Sequence, residues 1–296
     1  MTDDQILNRP IVILGAPRSG TTLISQLLAC HPQLYLANEP RILWKYGNDA
    51  RSDLLRPEHA TDSVRREIRR RFASEVRGAG RTRLVEKTPS NSLRVAFVDR
   101  VLEDCVFVHM MRDGLQSVLS IREFWRNHSV GLPTQQLLTR LKEIRLRQAP
   151  HYAREFVRRV AGKWAPGATA PGVWGPRLPG IEQWVRDRDL LEVCALQWRM
   201  CVEIACREGR ALPEHRYTEC RLDNFDEAEL ARVMRFCSLE PAEEVSKKYA
   251  EYFEGRPPDG RSQQAADDDV RRVETLIAPT EAWLKTLPPA DRHRTA

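Results

Sequence analysis

Residues 11–22, IVILGAPRSGTT, carry the residue types of an anion site. An apolar run ends at Gly15, and Gly20 is followed by Thr21, Thr22 and the helical spacing of LISQLLACH (23–31). The start of a helix presents unpaired backbone N–H groups with partial positive charge, so phosphate is a natural ligand there. Glycines let the backbone come close to the anion, and threonine hydroxyls add donors. A nucleoside-triphosphate loop, however, places lysine directly after its second glycine to reach the β/γ-phosphates. Thr21 stands at that position, and the basic residue is Arg18, ahead of the second glycine. The pattern predicts a phosphate loop that is not built for triphosphate hydrolysis.

GAPRSGTTL resembles the 5′-phosphosulfate loop of sulfotransferases that use 3′-phosphoadenosine 5′-phosphosulfate (PAPS), closest to the tyrosylprotein and bacterial branch. The resemblance implies that Arg18, Ser19, Gly20, Thr21 and Thr22 bind a 5′-phosphate bearing sulfate. It also implies PAPS as co-substrate and no metal for transfer, which accounts for the missing lysine. A second motif of that family, an arginine after a strand and a serine eight residues on, is matched by Arg112 and Ser120 in VFVHMMRDGLQSVLS. These are implied to hold the 3′-phosphate, for which arginine's planar fork of donors is suited. In LACHPQLYLANEPR, Glu39 stands where the branch has its acidic base, close to Arg41. In VEKTP, Lys87 resembles the lysine that approaches the transferred sulfate. Tyr217 matches a tyrosine of the cofactor wall. The likeness is clearest over about residues 10–122 and fainter in RYTECRLDNFDEAELARVMRFCSLEP. Three departures stand out: the membrane anchor and lumenal disulfides of the tyrosylprotein enzymes have no counterpart, Leu115 replaces an arginine of many relatives, and for the late basic loop Arg256 and Arg261 are candidates that read equally as solvated charges.

The implied chemistry is sulfuryl transfer to a hydroxyl or amine, in which positioning and charge stabilisation dominate. Glu39 would take the acceptor's proton, and Arg18 and Lys87 would stabilise charge on the oxygens of the transferring group. A carboxylate suits that role if partial burial raises its pKa toward neutrality. His31, His109 and His128 are rival bases; His109 alternates within a strand and reads as core, and His31 before Pro32 reads as a helix end. The acceptor is open among a small metabolite, glycan, lipid or peptide tyrosine. Trp125, Trp164, Trp174 and Trp184 offer either an aromatic wall or packing between helices. Arg122, Arg126 and Arg177 offer attraction for an acidic acceptor or a carrier protein, or a solvated face. A P-loop kinase or NTPase is the main rival, but it lacks its lysine, and Asp113 reads as a helix cap rather than a metal-holding acid. A non-catalytic nucleotide-binding protein is the other rival, and Glu39 with Lys87 argues against it.

The elements that must position these residues alternate in type. PIVILGAP (10–17), QLYLAN (33–38), TRLVEKTP (82–89) and CVFVHMMRD (105–113) read as strands, with HRYTE (215–219) a weaker fifth. SLRVAFVDRVLE (92–103), FDEAELARVMRFC (225–237), AEEVSKKYAEYF (242–253) and VRRVETLIAPTEAWLKTL (270–287) read as helices, and residues 288–296 as a frayed end. This order predicts an α/β fold: a three-layer, P-loop-like domain with a central, mostly parallel sheet flanked by helices. A single domain spanning 1–296 is expected, with a helical insertion and substrate-side loop at about 123–210. WAPGATAPGVWGPRLPG (164–180) cannot be helix, because prolines and glycines recur every few residues.

Composition narrows the partners. The net charge of +6 suits an anionic ligand, and with 7% aromatic content the interleaving of single-stranded nucleic-acid sites is missing; a nucleic-acid binder is a third rival resting on charge alone, and no nucleic-acid partner is expected. Seven cysteines without a C-x-x-C pair predict reduced, mostly buried thiols rather than a disulfide frame or zinc site. No apolar stretch approaches the ~20 residues of a membrane helix, and the first nine residues are too polar for a secretory leader, so a cytoplasmic location without a membrane anchor is expected. Oligomeric state is left open, a homodimer included.

Overall fold

The computed structural model describes residues 2–128, 148, 173–254 and 266–288. Five parallel strands form one sheet in the order β2-β3-β1-β4-β5: β1 (Ile11–Leu14), β2 (Leu34–Asn38), β3 (Arg83–Lys87), β4 (Val106–Met111) and β5 (Tyr217–Arg221). The central strand β1 is a run of four buried aliphatic residues because helices cover both faces of the sheet. Alternation along the strands sorts the core into two layers. Val12, Leu14, Leu84 and Phe107 face one layer, which is packed by α4 (Asp62–Gly78) and α5 (Val95–Leu102). Ile11, Ile13, Val85 and Val108 face the other, which is packed by α2 (Thr21–Ala29), α9 (Glu227–Phe236) and α10 (Glu243–Phe253). A third apolar cluster joins α6 (Gly114–His128), α7 (Ile181–Asp187), α8 (Leu190–Gly209) and α11 (Asp267–Thr286). Short helices α1 (Asp3–Ile6) and α3 (Arg41–Trp44) complete the set.

The three-layer α/β architecture and all five strands are as the sequence predicts. The weak fifth strand begins two residues later than expected, at Tyr217. Helix α4 has no counterpart in the sequence reading, although Thr61 caps its start and Val64, Ile68, Phe72 and Val76 bury one stripe at helical spacing. Arginines dominate the rest of that helix, which hides the stripe. Within the proposed insertion, α8 belongs to the body: its Ala205 joins the first sheet layer, and Cys206 lies 3.9 Å from the ring of His109 on β4. The described end of the proline-glycine stretch is tied down as well. Arg177 and Asp53 exchange two hydrogen bonds of 2.7 Å, and Gln197 donates to the carbonyls of Trp174 and Pro176. Trp164, Arg256, Arg261, residues 289–296 and the side chain of His128 lie outside the described residues. No described helix is long and apolar enough to cross a membrane.

Candidate active site

Parallel pairing brings the carboxyl ends of β1, β2, β3 and β4 to one edge of the sheet, where α/β folds bind ligands. Asn38 and Ile13 are both in register with Lys87, so Gly15, Glu39, Lys87 and Arg112 all emerge there. The loop after β1 is closely packed. A Cβ on Gly15 would stand 2.7 Å from the Met110 carbonyl oxygen and 2.7 Å from Thr21 Cγ2, which is why glycine is required. The Gly15 N–H is held by Ser92 Oγ at 2.8 Å. Gly20 caps α2 in the left-handed region, with φ 85°. Arg18 also has positive φ, at 70°, a conformation costly for a residue with a Cβ. Ser19 and Thr21 are buried, whereas Arg18 and Thr22 are exposed at the lip.

Two groups of side chains converge on that loop. On one side Lys87, only 3% exposed, donates to Glu39 Oε1 at 2.8 Å and approaches Thr22 Oγ1 at 3.4 Å. Glu39 Oε2 accepts from Arg41 at 2.5 and 3.1 Å. The backbone of Glu39 has φ 56°, and its N–H is bound by the Lys87 carbonyl at 2.8 Å. On the other side Arg18 Nε donates to Ser120 Oγ at 3.1 Å, and Arg112 donates to the Arg18 carbonyl at 3.3 Å. Arg112 is braced by Gln116 Oε1 at 2.8 Å. Asp113 accepts from the Gln116 N–H at 2.9 Å and so caps α6, the role its position suggests. Arg18, Thr22, Glu39, Lys87, Arg112 and Ser120 are therefore brought together by contacts through one loop.

The electrostatics of Glu39 differ from expectation. Burial does push its carboxyl upward, but Arg41 and Lys87 outweigh it and hold the pKa below the usual carboxylate range. Glu39 is thus an ionised carboxylate clamped between two cations, not a base poised near neutrality.

Tyr217 does not join the group. It is 3% exposed, and its hydroxyl lies 2.7 Å from His109 Nδ1 and donates to Glu219 at 3.0 Å. Its ring packs within the first sheet layer because it opens β5 opposite Phe107. His109 is fully buried, and burial lowers its pKa to about 4, so it is uncharged core, as its place in the strand suggests. His31 is a structural link as well: its Nδ1 accepts from the Gln33 N–H, and its Nε2 lies 3.2 Å from the Glu240 carbonyl. Trp125 is core, at 1% exposure. Trp184 stacks beside Arg188, while Trp174 packs on Phe124 with ring centroids 4.7 Å apart. Phe124, absent from the sequence reading, lies with its ring centroid 5.2 Å from the Arg18 guanidinium. It sits one helical turn beyond Ser120, and that spacing was the available signal. Arg122 is paired with Asp269 at 2.7 Å.

The chain is 29% identical to protein-tyrosine sulfotransferase 1 of Rattus norvegicus over 126 residues, covering 38% of this chain and 34% of that protein. It is 30% identical to protein-tyrosine sulfotransferase 1 of Homo sapiens over 122 residues, covering 38% and 33%. The chain thus spans about a third of the length of these curated relatives. In fold it resembles the sulfotransferase STF9 from Mycobacterium avium, with TM-score 0.54, 15% identity and coverage of 96% and 78%. It also resembles the sulfotransferase domain of the Synechococcus PCC 7002 olefin synthase, with TM-score 0.50, 16% identity and coverage of 95% and 97%. The model of the Sulfotransferase family (Sulfotransfer_3) matches residues 10–167, more than half of the sequence and all of the loop, Glu39, Lys87 and Arg112–Ser120, so this chain belongs to the sulfotransferase family.

Proposed function

We propose that this chain, acting as one catalytic domain, moves a sulfuryl group from PAPS to a hydroxyl or amine acceptor. The observation that carries this reading is the meeting of the Glu39–Lys87–Thr22 and Arg18–Ser120–Arg112 groups on one lysine-free phosphate loop. The N–H groups at the start of α2, with Ser19, Gly20, Thr21 and Thr22, suit the 5′-phosphate. Arg112 and Ser120 suit the 3′-phosphate. In the transfer, the acceptor oxygen forms a bond to sulfur, and the bond from sulfur to the 5′-phosphate oxygen breaks with its electron pair leaving on the phosphate. The acceptor proton goes to Glu39, which Arg41 orients. Arg18 and Lys87 stabilise charge on the transferring group. Tyr217, buried against His109 and Glu219, has no part in this assignment.

For the acceptor, Phe124 beside Arg18, with Trp174 packed on it, offers an aromatic wall. That favours a phenol, and peptide tyrosine heads the candidates because two curated relatives are named for it. Free thiols at all seven cysteines suit a reducing compartment, the cytoplasm.

Calorimetry with 3′-phosphoadenosine 5′-phosphate and with ATP tests the nucleotide assignment. Strong preference for the former is expected, and equal affinity would remove the 3′-phosphate role from Arg112 and Ser120. A labelled-sulfate screen over phenols, sugars, peptides and lipids then tests transfer itself, and strict magnesium-dependent ATP turnover would favour a kinase instead.

A further inference from the structure

Directly behind Lys87, on the other face of β3, lies a carboxylate that sulfuryl transfer leaves unused. Glu86 is 0% exposed. Trp44 Nε1 donates to its Oε1 at 2.8 Å, and Thr88 Oγ1 donates to the same oxygen at 2.5 Å. Asn91 Nδ2 donates to Oε2 at 2.7 Å. The amide of Asn91 cannot turn round, because its Oδ1 accepts from Arg94 Nε at 2.8 Å. Arg94 is itself fully buried and supplies the counter-charge, with Asp53 3.5 Å from its Nη1.

Each donor belongs to a segment that carries the site. Trp44 ends α3, whose first residue is Arg41, and it is wedged against Phe72 and Phe97. Thr88 and Asn91 lie in the turn that follows Lys87 immediately. A buried carboxylate costs stability unless such partners compensate it, and here the partners are the two chain segments that clamp Glu39.

We propose that Glu86 is a positioning residue for sulfuryl transfer: its ionised carboxylate gathers Trp44, Thr88 and Asn91, and so fixes Arg41 and Lys87 about Glu39. This rests on the sulfotransferase reading of the site. Neither Trp44 Nε1 nor Asn91 Nδ2 can accept a hydrogen bond, so a proton on Glu86 has only the Thr88 hydroxyl to turn to. Burial pushes the Glu86 pKa up to about 7, with Thr88, Trp44, Arg94 and Asn91 all favouring the charged form. The other groups facing this unit are Asp53, Arg41 and Lys45 around Arg94, and the Cys105 thiol ahead of β4. Protonation therefore loosens the clamp as pH falls through neutrality.

The test compares wild type, Glu86→Gln and the double variant Glu86→Gln with Asn91→Asp, using labelled PAPS and N-acetyltyrosinamide as the probe acceptor. The single variant sets two donors against each other and is expected to lose on the order of a hundredfold in kcat, the effect of a small misplacement near reacting groups. Affinity for 3′-phosphoadenosine 5′-phosphate, set by the loop and α6, stays close to wild type. The double variant restores every donor–acceptor match with the charge moved beside Arg94, and most of the turnover returns. A single variant with wild-type kcat, or a folded double variant no better than the single, overturns the proposal. If neither variant folds, the wild-type profile decides: an acid limb of kcat near pH 7 supports the role, and a profile flat through neutrality refutes it. A wild type that neither binds 3′-phosphoadenosine 5′-phosphate nor labels any acceptor is a failure of the sulfotransferase reading, seen before any variant is made.

Discussion

As the base of the proposed transfer, Glu39 faces a conflict that its neighbours must resolve. A carboxylate held low by Arg41 and Lys87 is ionised at neutral pH, as a base must be, yet two cations make it a weak one. Lys87 also approaches Thr22 on the loop, so an anion seated there competes with Glu39 for the same ammonium. In the proposed transfer, Lys87 turning to the sulfuryl oxygens would leave the carboxylate with one cation fewer and a higher proton affinity when the acceptor arrives. Glu39→Ala is expected to lower kcat by roughly 10²–10⁴, the usual worth of general-base help, with nucleotide affinity in calorimetry little changed. Lys87→Ala removes a cation from Glu39 and lets its pKa rise, so the acid limb of kcat/KM moves to higher pH while kcat falls. A limb that stays in place would show that Lys87 does not hold the base. The sign for stability is the same: a depressed carboxyl stabilises the fold above its unfolded pKa, and that contribution is lost as pH falls through the folded one.

At the scale of elements, the turns after β1 and β2 carry conformational cost at the candidate site. Arg18 and Glu39 both sit at positive φ, 70° and 56°, although neither is glycine. Such conformations cost about 1–3 kcal/mol each and persist where surroundings impose them. Arg18→Gly relieves that cost, so its Tm should equal or exceed that of Arg18→Ala, which gives up the same Ser120 and Phe124 contacts, while kcat collapses in both. Gly15→Ala does the opposite, because a Cβ meets the fixed carbonyl of Met110; a loss of about 1–3 kcal/mol in denaturant unfolding is expected. An Arg18→Gly variant with a lower Tm than Arg18→Ala would show that the backbone there is unstrained. These elements were legible to different degrees. Strands β1 to β4 announce themselves as aliphatic runs ending in the motif residues, and β5 is fainter because Glu219 and Arg221 interrupt it. Helix α4 escaped because its four-residue apolar stripe is outnumbered by arginine. Glu39, Lys87, Arg112 and Ser120 were legible as candidates from the resemblance of their motifs to the family's. The Arg41 and Lys87 clamp on Glu39, and the packing of Tyr217 away from the site, depend on which face each side chain takes after the chain turns.

For the whole molecule, the site is a junction rather than a pocket in one element. The loop after β1, the ends of β2 and β3, and α6 are joined there by the hydrogen bonds and ion pairs described, and α6 is in turn packed by α8 and α11. A ligand that touches both groups ties the sheet edge to this helical side, and a ligand with only one phosphate end does not. Ligand binding stabilises the folded state by RT ln(1 + [L]/Kd), about 2.7 kcal/mol at a hundredfold excess over Kd. With the entropy of unfolding usual for a domain of this size, that is a rise in Tm of roughly 5 °C. At concentrations scaled to the wild-type affinity for 3′-phosphoadenosine 5′-phosphate, that compound should produce the shift and ATP should produce little of it. Arg112→Ala should abolish most of the shift while leaving the unliganded Tm near wild type, since Arg112 bonds only to Gln116 and one carbonyl among its described hydrogen bonds. If the variant and wild type shift equally in differential scanning fluorimetry, the 3′-phosphate is held elsewhere. The junction would then have to be drawn without Arg112.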